Sequence, residues 1–187
     1  MRAMLCLCLF SALPAWSLPV SAQPIGLSDL EGARINGVVV QHRVVRNAEG
    51  MTGENRTTQS YTVDVLPEGR IRTSLTVTVH RLRSGETSSR SFTSDAKLNQ
   101  PSKFRDGMHV WVLDKDNLVM LRTMQEGARI VTFAFARTDK GLSCKLTAPF
   151  AREVGGGGLG SGSAIGTAHA QILSVKEVSS SCGIRKR

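Results

Sequence analysis

Aromatic residues are scarce in this 187-residue sequence, which has one tyrosine, two tryptophans and six phenylalanines, 5% in all. Modules that bind single-stranded nucleic acid stack bases on exposed rings, and a core would use most of these. The scarcity therefore argues against sequence-specific nucleic-acid recognition. Histidine is also rare, and its four copies show no metal-ligand spacing: His42, His80, His109 and His169. No local nucleophile or acid–base signature is present, so we expect neither a metal nor a cofactor.

Long hydrophobic runs are missing except at the N-terminus. Met1 and Arg2 precede an apolar stretch at residues 3–13, and small residues precede a cleavage point after Ala22. This order is typical of a secretory signal peptide and is too short for a bilayer span. We therefore predict a signal at 1–22 and an exported chain, periplasmic or secreted, of 165 residues with a net charge of +8. That chain would carry no transmembrane span.

Two cysteines remain once the leader is removed, Cys144 and Cys182. Neither lies in a C-x-x-C pair, and two cysteines in an oxidising compartment usually pair with each other. We expect a disulfide between them.

Two segments have the outline of ligand-binding loops without the necessary residues. The stretch 155–166 has seven glycines in twelve residues but no P-loop lysine, so it predicts a flexible loop. The stretch 114–117 begins like a calcium loop, but Val119 and Gln125 occupy the positions that need Gly and Glu. We interpret it as a polar hairpin turn.

The remaining segments are short and rich in Val, Ile, Thr and Phe, and are separated by Gly, Pro, Asn and Asp, as in strands and turns. Residues 70–79 alternate most clearly, with one apolar face: Ile71, Leu75, Val77 and Val79. Eight to ten such strands without crossover helices predict an all-β domain at 23–187, an antiparallel barrel or sandwich. Residues 164–178 also fit a helix, so strand and helix both remain open there.

Finer features of the pattern give local expectations. A helical turn is expected at 27–30, a loop at 99–107, and a strand at 58–66. The Asn36-Gly37 pair inside an apolar segment predicts a bulge or bend in place of a regular strand.

Basic residues exceed acidic ones, 24 to 15. We expect the arginines to lie outside the core, because an unpaired buried guanidinium is strongly unfavourable. Five of them cluster along the chain and form the candidate anion-binding site: Arg70, Arg72, Arg81, Arg83 and Arg90. Such a field attracts anionic polymers or lipid head groups.

The sequence thus favours an exported, non-enzymatic β-domain that associates with an anionic envelope polymer, such as an anionic polysaccharide, or with lipid head groups through a basic face. Two alternatives remain open. One is a small-ligand carrier with an internal barrel pocket. The other is an enzyme whose site is assembled from residues distant in sequence.

Overall fold

The computed structural model describes residues 23–47, 49–104, 107–124, 127–148 and 171–186. The leader predicted at 1–22 with its cleavage after Ala22, the glycine-rich segment 155–166, and His169 lie outside the described residues. Within the described ranges, no helix is long and apolar enough to cross a bilayer.

The all-β prediction is confirmed. One helical turn, α1, spans Leu27–Leu30, and a short 3-10 turn spans Pro67–Gly69. The strands are β1 Ala33–Arg46, β2 Thr52–Leu66, β3 Arg70–Arg81, β4 Thr87–Lys97, β5 Ser102–Phe104, β6 Gly107–Asp114, β7 Asn117–Met124, β8 Gly127–Thr138, β9 Gly141–Thr147 and β10 Gln171–Lys186.

The ten strands form two antiparallel sheets of five. Sheet I has the order β10-β1-β2-β3-β4, and sheet II has the order β5-β6-β7-β8-β9. Every pairing except β1–β10 joins strands that follow each other along the chain, because short turns favour hairpins. The described residues form a sandwich-like arrangement and no closed barrel. Each sheet therefore has an inner face, directed at the other sheet, and an outer face.

The core lies between the inner faces. Alternation places the large buried side chains there, among them Ile35, Val63 and Ile71 from sheet I and Trp111, Phe133 and Leu146 from sheet II. The expected apolar face of 70–79 points into this core, and so do Val131, Phe133 and Phe135 of sheet II. Burying each large side chain stabilises the fold by about 1.5–3 kcal/mol.

Gly37 does not mark a bulge, and that prediction was wrong. The register of β1 shifts against β10 at Val40/Gln41 and Val44/Val45 instead. A Cβ on Gly37 would lie 2.6 Å from Leu146 Cδ2 and 3.0 Å from Phe133 Cε1. Glycine is therefore required because sheet II approaches the β1 backbone closely at this point.

Two boundaries also differ from the sequence-based expectation. β2 begins at Thr52, six residues early, because its polar start pairs with the exposed end of β1. The expected loop 99–107 contains β5, which pairs with β6. Of the two possibilities left open at 164–178, the described residues 171–178 form strand, because β10 pairs with β1 through two register shifts.

A disulfide joins Cys144 on β9 to Cys182 on β10, with the two Cα atoms 5.5 Å apart, so that prediction is confirmed. The bond links the two sheets where the edge strands β9 and β10 lie side by side.

Candidate functional site

The five candidate arginines do not lie on one face. Arg70 and Arg72 project from the outer face of sheet I at the start of β3. Arg81 and Arg83 lie at the other end of this strand, roughly 35 Å away at ~3.3 Å per residue. Arg90 lies opposite Val77, so it belongs to the inner-face positions of the edge strand β4, although its side chain is exposed. The set is therefore spread along a strand and cannot bind one small anion.

Two of the five are neutralised by carboxylates. Arg72 Nε donates to Asp95 Oδ1 across the β3–β4 ladder at 2.8 Å, and Arg81 pairs with Glu86 across the turn. The hydrogen bond from Arg72 lowers the pKa of Asp95 below its usual range, and the same bond raises the pKa of Arg72. Both pairs are exposed, so each contributes little to stability, but together they cancel much of the local positive charge.

The other three have no carboxylate within ion-pair distance among the described residues, although the charge of Arg70 helps to lower the pKa of Asp95. Among the described residues, no ion pair involves Arg70, Arg83 or Arg90, and all three side chains are exposed. Arg70 lies directly opposite Lys97 on the outer face, and like charges in that position repel each other. The start of β3 and the end of β4 therefore present two adjacent cations to solvent.

Arg83 lies beside a groove at the far end of sheet I. The groove has a volume of about 390 Å³ and is lined by Val44, Thr52, Gly53, Glu54, Leu82 and Arg83. The Leu82 amide donates to the Glu54 carbonyl at 2.9 Å, which ties the β3–β4 turn to β2. The groove thus places a cation next to an exposed apolar side chain, Leu82.

The outer face between the two ends of β3 is uncharged and covered with hydroxyl groups. Thr76 pairs with Ser91 at 2.8 Å and Thr78 with Ser89 at 3.0 Å between side-chain oxygens. Such cross-strand hydroxyl pairs stabilise a sheet and leave its surface hydrated. The positive charge of this face is therefore confined to its ends.

Contrary to the sequence-based expectation, not all arginines lie outside the core. Arg43 and Arg122 are each only 6% exposed. On the inner face of sheet II, Arg122 lies opposite His109 on one side and Arg129 on the other, so three basic residues form one row. Arg43 lies on the inner face of sheet I, close enough to Arg129 that the charge of Arg129 helps to lower the pKa of Arg43.

Polar and aromatic neighbours accommodate these interior cations. Arg43 Nη2 donates to Gln41 Oε1 at 2.7 Å, Gln59 Nε2 donates to the same oxygen at 3.3 Å, and the Tyr61 hydroxyl donates to Gln59 Oε1 at 2.7 Å. The guanidinium of Arg122 lies 4.5 Å from the ring centre of Phe104, a cation–π contact. None of the three arginines is without a partner. Arg43 is thus part of a buried hydrogen-bonded network with Gln41, Gln59 and Tyr61, and Arg122 packs on an aromatic ring.

Burial perturbs several of these groups. Burial, with a smaller effect from the charge of Arg129, lowers the pKa of Arg43 to about 10. Burial raises the pKa of Tyr61 to about 12, although the three arginines oppose that shift. For His109, burial lowers the pKa, the backbone of Ser102 opposes this, and Arg122 adds to it. The interior therefore favours neutral forms.

Compared with known proteins, the chain matches no family model, no curated protein and no solved structure. Its function therefore has to be inferred from its own residues.

The cavities lined by described residues include two between the sheets and one groove at the surface. The two cavities between the sheets have volumes of only about 10 and 20 Å³, and each has room for roughly one water molecule. No histidine lines them or the groove beside Arg83. His42 does bond Glu54 at 3.0 Å, but both are on the surface. No metal-ligating cluster occurs among the residues that the structure describes.

The sequence contained an unused signal for the interior arginines. Arg122 shares its parity with Leu118 and Met120, and Arg129 shares the parity of Val131 and Phe133, all buried. Period-two reasoning alone places both arginines on the inner face. The general rule that unpaired arginines avoid the core led away from this placement, because a sequence does not show which partners the fold provides.

Proposed function

We propose that this chain is an exported, non-enzymatic β-domain, periplasmic or secreted, that associates with an anionic envelope polymer or surface. The observation that carries the proposal is that, within the described ranges, the exposed Arg70, Arg83 and Arg90 form no ion pair, whereas Arg72 and Arg81 do. An exposed arginine without a carboxylate partner can exchange counterions for a polyanion without first breaking an ion pair.

The spacing of these arginines favours an extended partner over a compact one. Arg70 and Arg83 lie at opposite ends of β3, with hydroxyl groups between them. A linear anionic polysaccharide can span roughly 35 Å and can hydrogen-bond to hydroxyls along the way, whereas a single small anion touches only one end. The net charge of +8 expected for the exported chain, once Arg2 is removed with the leader, adds long-range attraction.

Salt-dependent retention on a sulfated dextran matrix tests the proposal. Two double variants are compared, R70Q/R83Q and the matched control R72Q/R81Q. Both lose two positive charges, and each replaces one arginine at each end of β3. We expect the slope of log affinity against log salt to fall by about two for R70Q/R83Q and to change little for the control.

Two outcomes contradict the proposal in different ways. Retention that is insensitive to salt in the unmodified protein overturns electrostatic association altogether. An equal loss in both double variants shows that only net charge matters, and the assignment to the unpaired arginines is then wrong.

A further inference from the structure

The outer face of sheet II is apolar, unlike that of sheet I. Val110, Leu121 and Ile130 lie directly opposite one another on the three central strands, and Val112 and Val119 form the next row together with one polar residue, Thr132. Leu121 is 39% exposed and Ile130 is 40% exposed. Contiguous apolar surface of this kind marks an interaction site in soluble proteins.

The sequence of these strands fits a sheet that is covered on both sides. In an antiparallel sheet with one wet face, apolar and polar residues alternate. Residues 108–113 and 118–121 are instead apolar at nearly every position, because Trp111 and Met120 fill the core while Val110 and Leu121 face outward. The inner face is buried against sheet I, and the outer one has the composition of a buried face.

Charge is confined to the margins of this face. Along the described outer positions of β6, β7 and β8, the charged residue is Asp114, at the end of its strand. Lys103 and Lys145 lie on the edge strands, opposite Met108 and Ala134. An apolar centre with a polar rim is the usual anatomy of a protein–protein interface.

We propose that a second copy of this chain covers this face, sheet II packing on sheet II across a two-fold axis. The area is sufficient: with ~3.3 Å per residue and ~4.8 Å between strands, the five strands present about 600 Å² per copy. The total of about 1,200 Å² is at the lower end of the range for stable interfaces. A two-fold arrangement also places the uncharged centre of one copy on that of the other, which keeps the excess positive charge of both at the rim.

Sedimentation equilibrium of the secreted, disulfide-bonded protein tests the proposal. The protein concentration is varied from about 1 to about 200 μM, so that the range brackets a Kd on the order of 1 μM. We expect a monomer–dimer equilibrium that persists in 1 M NaCl, roughly the salt at which exposed charges are fully screened. The variant L121K/I130K should raise the dimer Kd at least about 100-fold, because two lysines would be desolvated at the interface. The control T76K/T78K adds the same charge to the outer face of sheet I and should leave the dimer unchanged.

A wild-type protein that stays monomeric throughout this range overturns the proposal, whatever its variants do. Equal weakening by L121K/I130K and T76K/T78K also overturns it, since the effect would then follow net charge. Far-UV circular dichroism and intact disulfide bonding confirm that each variant is folded. The salt response separates this proposal from the polyanion association, because high salt abolishes the latter and leaves an apolar dimer intact.

Discussion

Replacing Gly37 with alanine tests the packing that positions the two sheets. The new Cβ would lie 2.6 Å from Leu146 Cδ2 and 3.0 Å from Phe133 Cε1, whereas carbon atoms in contact prefer about 3.5–4.0 Å. Leu146 is 2% exposed and Phe133 is fully buried, so neither can move into solvent. Overpacking of this kind destabilises a protein by about 1–3 kcal/mol.

A smaller effect opposes this loss. Removing a glycine from the interior of a strand restricts the unfolded chain and stabilises the fold by about 0.4–1 kcal/mol. The net destabilisation of G37A is therefore about 1–2 kcal/mol. For a chain of this size it corresponds to a fall in Tm of roughly 3–6 °C.

Gly183 provides the matched control. It lies on the adjacent strand β10, opposite Asn36, and no atom lies within 4 Å of the position that its Cβ would take. G183A therefore gains the unfolded-state effect without the clash, and its Tm should stay the same or rise slightly. Both variants are compared with the wild type by differential scanning calorimetry with the disulfide intact.

The double variant G37A/L146V completes the test. Valine at 146 lacks one methylene of the leucine side chain that the new Cβ would strike, so L146V should destabilise G37A less than it destabilises the wild type. A G37A protein as stable as G183A, or strictly additive effects of G37A and L146V, would refute the close-approach explanation.

Two further predictions concern the core and its crosslink. Tyr61 is the one tyrosine in the chain, so phenolate absorbance reports it alone, and its native titration midpoint should lie near pH 12 against about 10 in denaturant. Because the raised pKa means that the folded state holds the proton to higher pH, the contribution of Tyr61 to stability falls as pH rises through 10 to 12, while Arg43, whose pKa is lowered to about 10, contributes in the opposite direction over the same range. The test is therefore the titration midpoint itself, and a native midpoint near 10 would contradict burial of the hydroxyl. Replacing Cys144 and Cys182 with serine removes a crosslink between residues 38 positions apart in sequence. The free energy of unfolding, measured by urea titration, should fall by about 4 kcal/mol in the chain-entropy model. An unchanged urea midpoint would argue against a stabilising crosslink.

Period-two patterning and turn residues were enough to predict the fold class. The alternation at 70–79 predicted both the strand and its buried face, because the apolar side of the pattern is stable only when it packs into the core. Barrel and sandwich could not be distinguished, since closure depends on which edge strands meet. Here the edge strand β9 lies beside the edge strand β10 without joining its sheet, and this arrangement depends on contacts between residues far apart in sequence.

Local signals misled where a long-range contact decides the outcome. Gly37 has the sequence of a bulge, but the residues that require it, Phe133 and Leu146, are about a hundred positions away. The candidate arginines illustrate the same problem, because Asp95 and Glu86 neutralise Arg72 and Arg81 while Arg70 faces another cation, Lys97. Clustering along the chain showed where positive charge is concentrated, and only the register showed which of it is uncompensated.

The outer faces of the two sheets require different explanations, although both derive from the same alternation. On sheet I, the outward positions at the centre of β3 and β4 are Thr and Ser, which water or a hydroxylated polymer can satisfy without burial. On sheet II, the outward positions at the centre are Val, Leu and Ile. Covering these side chains removes apolar surface from water and therefore lowers the free energy. A chain that needed only solubility would gain from polar residues on both faces. The retention of an apolar face on one sheet and of unpaired arginines on the other is therefore best explained by two separate contacts, one apolar and insensitive to salt, the other electrostatic and abolished by it.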